Sequence, residues 1–300
     1  MATIDHRLTS VAGKVGQFES CCHPGLMLDK LLKGVPEKGE DTKEVAPSVL
    51  NARGDAALFA KLRTRWATAL DAVGAARWTA TTAGPLAIHL ARAALLENAN
   101  VCLHRTYGFA YLPGSGLKGM ARAWAETAWL ADQSDKDAAW RRIDTVFGYG
   151  NTPWRRERLE RHPGSRAYAK REDGSQRERT EHSGTVAFHD AWPTAWPTLQ
   201  LDVLTPHHGE YYGADDRNVP PPGDWENPVP VNFLVVAPGT GFEFALSGPE
   251  ADVTFARVCL EAALARRGAG AKTNAGYGYF VTPNAPKPTS LEKQNTFSCE

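Results

Sequence analysis

Three hundred residues carrying 34 Lys plus Arg against 34 Asp plus Glu give a formal net charge of zero. That excludes a uniformly basic nucleic-acid binder and confines any polyanion site to a local patch. At 42% hydrophobic and 23% charged residues, the composition is that of an ordinary globular protein, long enough to bury a core without staples.

Residues 1–50 are polar and punctuated by Gly25, Gly34, Pro36, Gly39 and Pro47. Their opening stretch, MATIDHRLTS, lacks the basic and apolar regions of a secretory leader. Over 52–73, Ala57, Leu58, Lys61, Leu62, Trp66, Ala69, Leu70 and Val73 recur near helical spacing before a stop at Gly74. Residues 1–75 therefore read as an N-terminal extension with one helix. From Trp78 to Leu90 the pattern is that of a strand: Thr79, Thr81 and Thr82 lead into alternating Leu86, Ile88 and Leu90. Tyr107–Leu112 is a second extended piece, ending at Pro113. The run GSGLKG (114–119) then opens a helix, with Ser115 as N-cap. Leu117, Met120, Ala121, Trp124, Ala128 and Ala131 share one face of it. Residues 132–147 read as another helix.

Between Arg155 and Glu181 nine Lys/Arg mix with six Asp/Glu without apolar periodicity, so 151–184 reads as a solvated insertion. Thr185–Phe188 and Leu199–Leu204 read as strands. A stretch rich in Gly, Pro and Asp, 206–230, reads as a second, loop-like insertion. Val231–Val236 and Phe242–Leu246 read as a hairpin-like pair. Residues 250–267 read as a helix burying Val253, Ala256, Leu260, Ala263 and Leu264, with Arg266 and Arg267 at its negative end and Gly268 as its stop. GAGAKTNAGYG (268–278) leads into a closing strand, Tyr279–Thr282, and 283–300 is a polar tail. The order amounts to two β-α-β-like halves. The expectation is an α+β domain over 76–282: a ferredoxin-like antiparallel sheet with helices on one face and long insertions.

Two glycine-rich segments draw attention. Gly114–Gly119 matches G-x-G-x-x-G before a helix, but the parallel βαβ unit and the acidic residue of a dinucleotide site do not follow. The general physics survives: glycines admit a close phosphate, and free N–H groups at a helix start attract anions. Lys118 and Arg122 stand four apart, and with Arg105 the stretch 101–122 holds three cations and no acid. The second segment is not a P-loop, because Ala271 precedes Lys272 and a helix comes before it. It offers backbone donors, Lys272, Thr273, Asn274 and the ring of Tyr277, an inventory suited to a nucleic-acid backbone and a splayed base. A plain tight loop with Tyr277 in the core is the alternative.

His189-Asp190, Asp202 and the His207-His208 pair form a possible acid/base or metal cluster, and a ribonuclease using Asp190, Asp202 or His207 is the rival reading. Asp190 also suits a turn cap. A nucleotide-binding enzyme using the first glycine segment is a third reading. Five cysteines without a CxxC pair argue against a disulfide framework or a cysteine zinc site, and no apolar run reaches a membrane span. No cofactor, no metal, no membrane and a cytoplasmic location are expected.

LHRTYGFAYLPGSGLKGMARAW (103–124), VFGYG (146–150), GTVAFHDAWP (184–193), LDVLTPHHGEYY (201–212), NPVPVNFLVV (227–236) and GAGAKTNAGYGYF (268–280) bring a family into view. Together, and in this order over roughly 78–282, they resemble the RAMP proteins of type III CRISPR effector complexes, those of type III-B (Cmr) above all. The resemblance implies a modified RNA-recognition (ferredoxin-like) fold. It implies a backbone or capping subunit that binds crRNA at the 3′ end of the guide, meets target RNA through the complex, and contacts other Cmr subunits. By the resemblance, Ser115, Lys118, Arg122, Lys272, Thr273 and Asn274 are RNA-contact candidates, with His104 and Arg105 close by in sequence and Tyr277 in the second loop. RAMP subunits that cut RNA carry an Asp before the first glycine segment. Here that stretch reads Glu97-Asn98-Ala99-Asn100, which implies a subunit that does not cut.

Overall fold

The computed structural model describes residues 23–25, 50, 54–88, 101–150, 181–205, 208, 211, 223 and 230–282. Most of residues 1–50, most of 151–184, most of 206–230 and all of 283–300 lie outside the described residues, as do His207 and Glu97–Asn100.

Helix α1, Ala56–Ala72, starts where Asp55 caps it: the carboxylate accepts the N–H groups of Ala57 and Leu58 at 2.8 and 3.0 Å. Strand β1, Ala76–Thr82, follows and becomes the centre of the main sheet. Helix α2 runs Gly114–Trp124 and passes directly into a π turn, Ala125–Trp129. Helix α3 is Lys136–Phe147, capped by Asp135. The strands that follow are β2 (Gly148–Tyr149), β3 (His182–Ser183), β4 (Ala187–Phe188), β5 (Trp192–Pro193), β6 (Leu199–Leu204), β7 (Val231–Val236) and β8 (Gly241–Ser247). Helix α4, Glu250–Arg266, and strand β9, Phe280–Val281, are the last of these elements among the described residues.

Strand β1 pairs antiparallel with β8 from Ala76↔Leu246 to Thr81↔Gly241, and with β9 on its other edge through Thr81↔Val281 and Thr82↔Phe280. Strands β4 and β5 both lie along the far edge of β8, as two pieces of one interrupted strand. The order is β4/β5–β8–β1–β9, antiparallel at every pairing. An α+β architecture with an antiparallel sheet therefore holds.

Alternation across the strands sorts the helices. Trp78, Ala80, Phe242, Phe244 and Leu246 are buried, and Arg257 of α4 lies over the Trp78 ring at 4.7 Å. Helix α2 packs along α4. Each large apolar side chain buried there contributes roughly 1.5–3 kcal/mol. Arg77 and Glu243 project from the opposite face, and there Glu243 receives Arg63 of α1 and Arg77 at 2.6 Å each. Helix α1 thus docks on the sheet face opposite α4. Aromatic contacts complete that dock: Trp66 stacks on Trp192 at 5.1 Å, and Phe59 meets Phe109 edge-on at the same distance.

Four expectations are corrected. Val231–Val236 and Phe242–Leu246 do not pair; β7 pairs with β6 in a separate ladder from Leu199↔Val236 to Leu204↔Val231, because both edges of β8 are already taken. The strand expected over Trp78–Leu90 ends at Thr82; Leu86 and Ala87 form single bridges to Val236 and Ala271, and His89 and Leu90 lie outside the described residues. Ser115 is not the N-cap of α2. Helical backbone starts one residue earlier, with Pro113 in the cap position. Ala131, expected on the inward face of α2, is exposed, and Leu130 is buried instead.

Candidate nucleic-acid interface

The two glycine segments converge on one cleft of about 520 Å³. Pro113, Gly116, Leu117 and Met120 form one wall, and Gly268–Ala271 with Thr273 form the other. Sequence distance gave no hint of this meeting. The sheet produces it, since α2 and α4 are neighbours and each segment sits at an end of its helix.

The glycines divide into two sets. A Cβ on Gly114 would strike the carbonyl of Phe188, and one on Gly270 or Gly278 would strike the carbonyls of Ala87 and Ala269. Gly270 and Gly278 also hold φ of +85° and +75°. These positions serve packing. Their backbone is stapled down: Ala271 N–H donates to Ala87 at 2.7 Å and Gly278 N–H to Pro85 at 2.8 Å. Gly116, Gly119 and Gly276 are different. A Cβ on any of them would meet nothing within 4 Å, and all three are exposed. No contact within the fold asks for glycine at Gly116 or Gly119, whose bare backbone lies open to a ligand, whereas the φ of +90° at Gly276 asks for glycine by itself. Sequence reasoning did not single out these three; only their place within the glycine runs could have flagged them.

The predicted contact residues fall into distinct environments. Ser115 is exposed beside Gly116, in the first turn of α2, where backbone N–H groups point out of the helix start. Lys118 is half-buried and forms no hydrogen bond or ion pair among the described residues. Burial, and then the nearby Arg122, lower its pKa. Arg122 is turned inward. It donates to Glu126 at 2.7 Å, to Asp144 at 3.0 Å and to the carbonyls of Phe147 and Gly148. Its side chain is only 14% exposed, so the pairing of Lys118 with Arg122 as two outward cations does not hold. Glu126, four residues on, was the available signal.

In the second loop Lys272 takes a left-handed backbone, φ +57°, and its ammonium sits 4.9 Å from the Phe233 ring centroid. Thr273–Ala275 forms a short 3₁₀ turn, and Asn274, Ala275 and Gly276 are its exposed tip. Tyr277 donates its hydroxyl to Asp202 at 2.7 Å, and burial with that bond pushes its pKa up to about 12. Its ring meets Phe233 at 5.8 Å. Tyr277 thus anchors the loop to β6.

His104 stacks on Tyr107 at 4.6 Å and borders Phe109, Tyr111 and Trp192; burial lowers its pKa. It belongs to the aromatic dock of α1. Arg105, next to it, is exposed. Of the rival ribonuclease residues, Asp190 accepts the Gly114 N–H at 2.7 Å and Asp202 accepts Tyr277. Among the described residues no group of three or more His, Cys, Asp or Glu could hold a metal ion, and no helix is long and apolar enough to cross a membrane.

A profile of the RAMP superfamily matches residues 79–281, and the chain belongs to that superfamily. The chain is similar to the CRISPR system Cmr subunit Cmr6 of Pyrococcus furiosus, 32% identical over 210 residues, a match covering 61% of each protein. The match thus spans about three fifths of that relative's length. Among solved structures, the crystal structure of Cmr6 from Pyrococcus furiosus aligns at 26% identity over 69% of this chain and 96% of that one, with a TM-score of 0.36. A chain in the cryo-EM structure of the type III-B Cmr-beta bound to cognate target RNA aligns over 91% of this chain and 95% of that one, at 16% identity and a TM-score of 0.54. The last of these speaks to the fold.

Proposed function

We propose that the chain is a non-catalytic crRNA-binding backbone or capping subunit of a type III-B CRISPR effector complex. It holds the sugar–phosphate chain of the guide's 3′ part across the cleft between its two glycine-rich loops. The observation that carries this reading is the convergence of both loops on one cleft, with Gly116 and Thr273 on opposite walls. The open backbone at Gly116, Gly119 and Gly276 admits a phosphate closely. Ser115 and Lys118 serve one lip; Lys272, Thr273 and Asn274 serve the other. Arg105 extends the basic surface, while Arg122, His104 and Tyr277 support the scaffold behind it.

The strand order β4/β5–β8–β1–β9, with α2 after β1 and α4 after β8, supports a ferredoxin-like, RNA-recognition-type core. Recognition through phosphates and shape suits a subunit that must accept any guide sequence. The name of the Pyrococcus relative, a subunit of a Cmr system, supports other Cmr subunits as partners. In this reading target RNA is reached through that complex, in the cytoplasm. The commitment of Asp190 and Asp202 to Gly114 and Tyr277 supports a structural rather than a ribonuclease role for both.

The test uses the assembled complex. Lys118→Ala combined with Lys272→Ala weakens guide retention to the same degree for unrelated guide sequences. A loss confined to one sequence, or no loss, contradicts the reading. Asp190→Ala with His207→Ala leaves the rate of RNA cleavage by the complex unchanged; abolished cleavage with assembly intact establishes the ribonuclease.

A further inference from the structure

Arg267 is a cation on the wall of the cleft, and by position alone it would count among the RNA ligands. Its hydrogen bonds lead elsewhere. The guanidinium donates to the Ala123 carbonyl at 3.3 Å and to the Thr127 hydroxyl, and it lies 5.3 Å from the Trp124 ring centroid. These partners sit where α2 widens into its π turn. A π turn draws carbonyls out of α-helical register and is frequent at functional sites. Here the Ala123 carbonyl is taken up by the Thr127 hydroxyl at 2.7 Å and by Arg267.

The backbone of Arg267 is equally placed. It is the C-cap of α4, directly before Gly268, where φ turns to +73° and the second loop begins. One side chain therefore joins the helix that carries Gly116, Lys118 and Gly119 to the residue that launches Lys272–Gly276.

We propose that Arg267 is a positioning residue: it fixes the separation of the two loops, and so the width of the RNA cleft, without touching RNA. This rests on the RNA-binding reading above. Arginine suits the task because its planar fork can hold two acceptors while stacking on a ring; lysine carries the same charge but cannot do both.

The test titrates the full-length chain with single-stranded RNA of mixed sequence, by fluorescence anisotropy at a series of salt concentrations. Arg267→Lys and Thr127→Val each weaken binding about tenfold, the equivalent of one charge-assisted hydrogen bond. The salt slope stays that of the unmodified chain, since no phosphate contact is lost. The two changes combined are no worse than the more severe one, because both break the same contact. Thr127→Ser, which restores the hydroxyl, binds normally. Normal binding by Arg267→Lys and Thr127→Val, or a slope lowered by about one in Arg267→Ala, overturns the proposal. Lys118→Ala separates this from the reading beneath it: unchanged affinity and slope there bring down the RNA cleft itself.

Discussion

The carboxylate of Asp190 accepts the backbone N–H of Gly114 at 2.7 Å, so α2 is capped by a residue 76 positions further along the chain. Pro113, in the local cap position, has no side-chain acceptor to offer. The cap is part of a wider clasp: Leu112 and Ala191 exchange backbone hydrogen bonds at 3.0 and 2.8 Å, seating the start of α2 against the edge of the sheet. Asp190→Ala should lower stability by about 1 kcal/mol, the ordinary worth of an N-cap, and Asp190→Asn should recover most of it. Denaturant unfolding checks both. Unchanged stability in Asp190→Ala would show that the bond does not cap.

The two sets of glycines predict opposite outcomes. Gly116→Ala and Gly119→Ala place a methyl in open space on a helix and should each raise stability by up to about 1 kcal/mol. The same methyl stands where the RNA chain approaches, so RNA binding should weaken. Stability up with binding down is a signature that a packing role cannot produce. Gly114→Ala and Gly278→Ala should instead destabilise the fold, because the methyl meets the carbonyls of Phe188 and Ala269. Thermal melts and RNA titrations on the four variants check this. Tighter or unchanged RNA binding by the first pair counts against close backbone approach.

Tyr277 gives a pH signature. Its folded-state pKa is pushed up to about 12, against an ordinary phenol near 10, by burial and by the bond to Asp202. The folded chain therefore holds this proton where the unfolded chain has lost it. The associated stability is fully present below about pH 10 and drains away as pH rises toward 12. Tyr277→Phe should be less stable at neutral pH, through the lost bond to the half-buried Asp202 carboxylate, and less sensitive to alkali over that window. Unfolding curves at a series of alkaline pH values check it; parallel alkaline losses in both proteins would remove Tyr277 as the source.

What the sequence revealed follows physical range. Helices α1, α2 and α4 lie within a few residues of their expected spans, because periodicity and stops such as Gly74 and Gly268 are local. Both glycine loops were visible for the same reason. Strand pairing was not. Pro238 and Gly239 look like a hairpin turn, yet the Gly239 N–H donates to Thr82 at 2.9 Å and carries the chain across to β1. The inward turn of Arg122 depends partly on Asp144 of the next helix, and the anchoring of Tyr277 depends on Asp202. Arg267 gave no signal beyond an arginine next to a glycine run. In each case the partner is set by the fold.

The measurement that bears most directly on the central claim is a cryo-EM reconstruction of the assembled complex with its guide bound. The account predicts a sugar–phosphate chain passing between Ser115–Gly119 and Lys272–Gly276, with Lys118 at a phosphate and the Arg267 guanidinium still on Ala123 and Thr127. RNA running along another surface, with both loops facing a protein neighbour or solvent, would contradict it.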